Sequence, residues 1–300
     1  MRQFYYRVTS ILLSADVEDR TCRAVLAALR SDSGLQELLP HLSQFVLREV
    51  KAHTRSLRAL RALMAAVDAL WSNPALAVEF HLQQMLPAAF TCVIASRLSA
   101  TPYEDHWALR AQTAAIIARV LRKFRSLFPD LQARVCRTYL DALDDDKALS
   151  TACGGVLGLA ALGPAVVRAL LLPRAEALVA RLDATRAANT TSSASMLAVD
   201  RVLQALVHAA GTYFGERRRL GAGGPWGDGN GDGEEEDAAA EAEQGKAQHV
   251  KQEPAAKRRK TVTAESVSPV SEAAASGLEE LLVPYYAVAA PHAEQCRLFI

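Results

Sequence analysis

The sequence predicts an all-α chain, a solenoid of about five stacked helix pairs with a disordered insertion in its last repeat. Three observations lead there. Apolar residues recur three and four positions apart almost without pause from residue 20 to 213, in a background rich in Ala, Leu and Arg. No alternating strand pattern of useful length interrupts them. An apolar-apolar-Pro signature also returns at near-constant spacing along the chain.

Taken in order, the helices are bounded by breaks at residues 31–34, Ser72-Asn73-Pro74, Thr101-Pro102, Phe128-Pro129 and Gly163-Pro164. Within residues 57–71, Leu60, Leu63, Met64, Val67 and Leu70 form one broad stripe, with Arg55, Arg58 and Asp68 largely off it. Residues 109–124 repeat that pattern. Between Lys147 and Arg168 lie 20 uncharged residues, enough to cross a bilayer. Gly154, Gly155, Gly158 and Gly163 interrupt them, and Leu162-Gly163-Pro164 reads as a helix stop followed by a start, so two buried short helices are expected instead.

The proline signature occurs as Leu38-Leu39-Pro40, Met85-Leu86-Pro87, Leu127-Phe128-Pro129, Leu171-Leu172-Pro173 and Leu282-Val283-Pro284. The intervals are 47, 42, 44 and 111 residues. Removing a 63-residue insertion from the last leaves 48, so one period of 42–48 runs through the chain. Paired-helix HEAT or armadillo repeats have periods of about 40–47 residues. The insertion, residues 215–277, holds ten of the sixteen glycines, nine Lys/Arg against twelve Asp/Glu, and only six large apolar residues. Such a composition cannot bury enough surface to offset its ordering entropy, and disorder is expected. The expected division is a HEAT-repeat domain over 1–214, the insertion over 215–277, and a final solenoid helix with the tail over 278–300.

Composition narrows the function. The 34 basic and 33 acidic residues nearly cancel, so charge gives no support to whole-chain steering toward nucleic acid or an anionic membrane, and any DNA contact is expected to be weak. Five scattered cysteines (Cys22, Cys92, Cys136, Cys153, Cys296) suit neither a disulfide framework nor a zinc site and fit a reducing compartment. The seven histidines are dispersed, and no HExxH, Walker A loop or Gly-x-Ser-x-Gly elbow occurs. Cys153-Gly154-Gly155-Val156-Leu157-Gly158 lacks the Lys-Ser/Thr of a phosphate loop, and close helix packing explains its glycines better. Asp228-Gly229-Asn230-Gly231-Asp232-Gly233 matches the opening of a calcium loop, yet position twelve is Ala239 rather than a bidentate Glu. Asp144-Asp145-Asp146 reads as a solvated helix end. The cluster Arg119, Arg122, Lys123 and Arg125 reads as a solvated helix terminus able to touch phosphate or an acidic partner. No enzyme, cofactor, metal, small-molecule substrate or membrane anchor is expected.

Three short motifs sit in or beside the insertion. Lys257, Arg258, Arg259 and Lys260 form a compact basic run of the kind that nuclear import receptors read. Val250-Lys251-Gln252-Glu253 fits the apolar-Lys-x-acidic pattern of SUMO attachment, with Lys251 as acceptor. Ser268-Pro269 is a candidate proline-directed phosphorylation site.

Several stretches together resemble one known family. They are Leu63-Met64-Ala65-Ala66-Val67-Asp68-Ala69-Leu70-Trp71-Ser72-Asn73-Pro74, Leu86-Pro87-Ala88-Ala89-Phe90-Thr91-Cys92-Val93 and Asp105-His106-Trp107-Ala108-Leu109-Arg110. Gly155-Val156-Leu157-Gly158-Leu159-Ala160-Ala161-Leu162-Gly163 with Leu172-Pro173-Arg174 completes the set in register. This pattern, over roughly residues 3–183 with an extension to 213, is similar to the C-terminal HEAT domain of TATA-binding-protein-associated factor 6. The resemblance implies a nuclear, non-catalytic scaffold subunit of general transcription factor IID, with SAGA-type coactivators as a second assembly. Its partners would be other TATA-binding-protein-associated factors. Asp105, His106, Trp107 and Arg110 match its most specific motif, with helix packing and partner contact both open as their role and Trp107 expected in the core. The family's N-terminal histone fold, which pairs with associated factor 9, has no counterpart before the match: either the chain is a fragment or that module is missing. The rival reading is an unrelated HEAT adaptor in transport or phosphatase assembly.

Overall fold

The computed structural model describes residues 2–14, 16–188 and 192–221. Within them the helices are α1 (Arg2–Ser14), α2 (Arg20–Ser31), α3 (Leu39–Ala52), α4 (Leu57–Ser72), α5 (Leu82–Ile94), α6 (His106–Lys123), α7 (Leu131–Asp141) and α8 (Leu149–Ala161). A final rod follows, made of α9 (Pro164–Val166), a π-turn (Val167–Leu171) and α10 (Leu172–Ala188), and then α11 (Ser193–Gly221). There is no strand among the described residues.

Five helix pairs result among the described residues. The second helices form a continuous layer, α2 on α4, α4 on α6, α6 on α8 and α8 on α11. The first helices cover it: α1 lies on α2 and α4, α3 packs on α4 and α5, α5 on α6 and α8, α7 on α8, and α10 on α11. One hydrophobic cluster runs through the stack from Val8 to Ala210, as expected when each repeat buries its apolar face against the next.

The proline period marks this register. Pro40 opens α3, Pro87 lies inside α5, Pro129 directly precedes the Asp130 N-cap of α7, and Pro173 is the second residue of α10. All four mark first helices, and the apolar pair before three of them is core: Leu38 and Leu39, Met85 and Leu86, Leu171 and Leu172 are all buried. Leu127 departs from that rule at 55% exposed. The fifth helix pair is α1/α2 at the N-terminal end, which carries no such proline. Pro284 and residues 278–300 lie outside the described residues. Helix α11 continues to Gly221, so the first seven residues of the expected insertion are helical, capped by Arg218 and Arg219 in the last turn.

The predicted stripe of α4 is buried throughout, and Ala59, Ala62, Ala66 and Ala69 are buried beside it. That wide burial follows from its place between α2, α3 and α6. The uncharged stretch 148–167 forms α8 and the start of the next rod, divided at Gly163, whose φ of +111° a side chain would resist. No described helix is long and apolar enough to cross a membrane.

The α8 glycines let helices touch. A Cβ on Gly154 would fall on the Val93 carbonyl of α5, one on Gly155 would lie 2.7 Å from the Tyr139 carbonyl, and one on Gly158 would lie 2.5 Å from the Tyr139 ring. Gly154→Ala is therefore expected to destabilise the fold by about 2–3 kcal/mol or more, because a backbone carbonyl cannot step aside. Gly211→Ala on α11, where a Cβ meets nothing within 4 Å, is expected to gain about 0.5–1 kcal/mol by removing unfolded-state entropy. Urea denaturation of the two variants checks the opposite signs.

Candidate functional site

Side chains that reach onto the C-terminal ends of other helices recur along the stack. A helix leaves its last carbonyls without intrahelical donors, and a solenoid with short connections buries many of those ends. The family-motif residues meet that need at the junction of α5, α6 and α8. Asp105 caps the N-terminus of α6, its carboxylate accepting from the Ala108 N–H at 3.3 Å. One turn later, Arg110 is 0% exposed. Its Nη1 donates to the Val93 carbonyl at 2.5 Å, its Nη2 to the Ala95 carbonyl at 2.6 Å, and its Nε to His106 Nδ1 at 3.2 Å. The guanidinium thus closes the C-terminal end of α5, where the helix dipole favours a cation.

Burial alone pulls the Arg110 pKa down to about 10, so it stays charged at neutral pH. Desolvation, reinforced by the Arg110 charge, pulls His106 down to about 4. His106 is therefore neutral at pH 7, and accepting on Nδ1 places its proton on Nε2. The Trp107 ring lies 4.1 Å from the His106 ring, and the Arg110 guanidinium 6.0 Å from the Trp107 centroid. Trp107 is buried, as the sequence suggested. Arg110 thus ties α6 to the end of α5, and His106 and Trp107 stand beside it on α6. Cys92 and Cys153 flank this junction as buried thiols whose pKa values burial raises to about 12.

The same device recurs toward the surface. Arg58 of α4 donates to the Leu13 and Ser14 carbonyls at the end of α1. Buried Asn73 donates to the Leu29 and Asp32 carbonyls at the end of α2, 3.0 Å each, while its Oδ1 accepts from the Ala75 N–H. Lys123 of α6 donates to the Trp71 carbonyl of α4 at 3.0 Å. Arg181 of α10 donates to the carbonyls of Leu143, Asp144 and Lys147 after α7. Asp68 of α4 pairs with Arg30 of α2 at 2.9 Å and with Arg119 of α6.

All four members of the basic cluster are exposed, and two of them, Arg119 and Lys123, also tie one repeat to the next. Asp144, Asp145 and Asp146 lie exposed in the α7–α8 turn without converging on one centre. No cluster of three or more metal-ligating side chains occurs among the described residues. The import-type run Lys257, Arg258, Arg259 and Lys260, the acceptor Lys251, Ser268 and the calcium-like run 228–233 all lie outside them. Sequence reasoning passed over Asn73 and Arg58. The Asn-Pro break located Asn73 without its bonds, and Arg58 reads in the sequence as one more exposed arginine on a helix.

Comparison with known proteins decides the family. The model of the TAF6 C-terminal HEAT repeat domain matches residues 1–176. The chain belongs to that family. A Drosophila melanogaster transcription initiation factor TFIID subunit 6 is 34% identical over 203 residues, 65% of this chain and 33% of that protein. A Schizosaccharomyces pombe SAGA complex/transcription factor TFIID complex subunit Taf6 is 38% identical over 176 residues, 58% of this chain and 38% of that protein. The chain thus spans about a third of the length of the curated relatives it matches. The TAF6 C-terminal domain from Antonospora locustae superposes with a TM-score of 0.52 at 20% identity, covering 68% of this chain and 96% of that one. That likeness confirms the TAF6-type HEAT fold. The match to residues 1–176 includes the Asp105–Arg110 motif and Gly154.

Two consequences of the junction are measurable. Arg110→Ala leaves buried carbonyls unpaired and is expected to cost about 3–5 kcal/mol in chemical denaturation. His106, faced by Arg110, Asp105, Arg201 and Glu104, titrates lower folded than unfolded. Its stabilisation is complete above about pH 6.5 and is lost as pH falls toward 4, by up to about 3 kcal/mol. Denaturation at pH 7 and pH 5 is expected to differ less for His106→Gln than for the parent.

Proposed function

We propose that this chain is a non-catalytic scaffold subunit of transcription factor IID, acting in the nucleus. It would support assembly of the RNA polymerase II pre-initiation complex through protein contacts with other TATA-binding-protein-associated factors. The observation that carries the reading is the family match over residues 1–176 together with relatives named as IID subunits. The fold supports it: paired helices whose polar groups are spent on tying repeats together leave long outer faces for partners, and the reading assigns no residue a chemical step. Membership of a SAGA-type coactivator is a second assembly for the same surface, supported by the fission yeast relative's name.

Nuclear entry is assigned to Lys257, Arg258, Arg259 and Lys260, read by an import receptor, with Lys251 as a SUMO acceptor and Ser268 as a phosphorylation site. Affinity purification of the tagged chain from nuclear extract, followed by mass spectrometry, is expected to recover other IID subunits; their absence would remove the scaffold reading. Replacing Lys257, Arg258, Arg259 and Lys260 by Ala is expected to move a fluorescently tagged chain from nucleus to cytoplasm.

A further inference from the structure

At the edge where α6, α8 and α11 begin, the surface opens into a cavity of about 480 Å³, a volume in the range of small-ligand sites. The loop after α5 lines it with Ser96, Arg97 and Ser99, and the starts of α8 and α11 line it with Leu149, Ser150 and Ser195. Two contacts hold these walls together. Ser150 Oγ donates to the Ser96 carbonyl at 2.7 Å, and the Tyr103 and Ser193 hydroxyls lie 2.7 Å apart. His106 and Trp107, the first two residues of α6, complete the lining.

The donors around this cavity are unspent. His106 is 5% exposed, and its Nδ1 is taken by Arg110. Nε2 therefore carries the proton, and that N–H has no acceptor among the described residues. Nor is Nε2 sealed in the core, so it meets the open space against which His106 lies, which is this cavity. Arg97 is exposed and makes no ion pair or hydrogen bond among the described residues. The N-cap of α8 is Ala148, which has no side-chain acceptor, so the first N–H groups of that helix stand unpaired.

Charge identifies the ligand class. No carboxylate lines the cavity, and Arg97 is the one lining residue with a full charge at neutral pH. Glu104 and Asp105, close by in the chain, are engaged by Thr101 and by the Ala108 N–H. The starts of α8 and α11 add two positive dipole ends. A cation would meet Arg97 and those dipoles with no anionic oxygen to hold it. An anion would find the Arg97 guanidinium, the His106 Nε2–H, serine hydroxyls and the α8 N–H groups around it. A phosphoryl dianion offers three acceptor oxygens to such a set where a carboxylate offers two.

We propose that the cavity between the α5–α6 loop and the first turns of α8 and α11 binds a phosphoryl dianion, with Arg97 and His106 Nε2 as its principal donors. The site lies outside the scaffold reading and does not depend on which assembly the chain joins.

The test titrates the nitrogen-15-labelled full chain with inorganic phosphate and, separately, with a short peptide carrying one phosphoserine, at pH 7 and low salt. Saturable NMR shifts centred on His106 Nε2 and the Arg97, Leu149 and Ser150 amides are expected. The tighter of the two probes names the source, a free ion or a modified partner, and either supports the site. Arg97→Ala removes a side chain that ties no helices together and is expected to weaken binding about ten-fold. Ser195→Asp sets a carboxylate in the cavity and is expected to abolish binding, whereas Arg168→Ala on the last repeat leaves it unchanged. Circular dichroism melting of each variant separates lost binding from lost fold. Undiminished binding by the Arg97→Ala variant would overturn the proposal, as would equal binding of the unphosphorylated peptide or of acetate. So would shifts scattered over other arginines, which mark an adventitious ion only, or no saturable shift with either probe. Tighter binding of a DNA duplex with the same Arg97 dependence would overturn it as well. Failure here leaves recovery of IID subunits from nuclear extract untouched.

Discussion

The Arg110 guanidinium is a cation with no exposure to water, held by two backbone carbonyls at the end of α5 and by a neutral imidazole. Burying such a group ordinarily costs several kcal/mol. Here the carbonyls of Val93 and Ala95 would otherwise be orphaned in the same dry space, so one group removes two penalties while bearing its own. Much of the stack depends on this point because α5 touches α3, α6 and α8, and the Val93 carbonyl that Arg110 holds is the one Gly154 lies against. An electrostatic cap and a steric fit therefore set the same three-helix junction. Displacing one displaces the other.

The chain applies this solution at graded depth. Arg110 and Asn73 are fully buried, Arg181 is half-buried and Arg58 is exposed, yet each satisfies carbonyls at or just after the C-terminal end of a helix. Apart from those of Arg110, which span 15 and 17, these bonds span 34–45 residues of sequence, close to one repeat. In a quasi-one-dimensional fold, nearest-neighbour interfaces are what couple the units, and here polar caps reinforce the apolar layers. Arg58, Arg61, Arg110, Lys123 and Arg181 are all committed to the protein's own backbone carbonyls.

Those commitments also shape what is left for partners. Where α4 and α6 end, Arg119 and Lys123 are used internally while Arg122, Arg125 and Phe80 are not. A surface acquires character where internal demands are already met.

Much of this was legible in the chain itself. The breaks at Asn73-Pro74, Thr101-Pro102 and Gly163-Pro164, the α4 stripe and the proline period follow from local chemistry, because helix periodicity, φ restriction and missing N–H groups act within a few residues. The ordered family motifs identified the domain for the same reason. What Arg110, Asn73 and Arg58 do could not be read there. A side chain's hydrogen-bond partner a repeat away depends on how helices stack, and an arginine destined for a buried carbonyl has the same sequence signature as one destined for solvent. Nor could sequence divide Arg119 and Lys123 from Arg122 and Arg125, since a quarter-turn on one helix separates a tie from a free charge. Local pattern determined the helices and their repeat; only the packed stack decided which polar groups hold it together and which remain to meet another molecule.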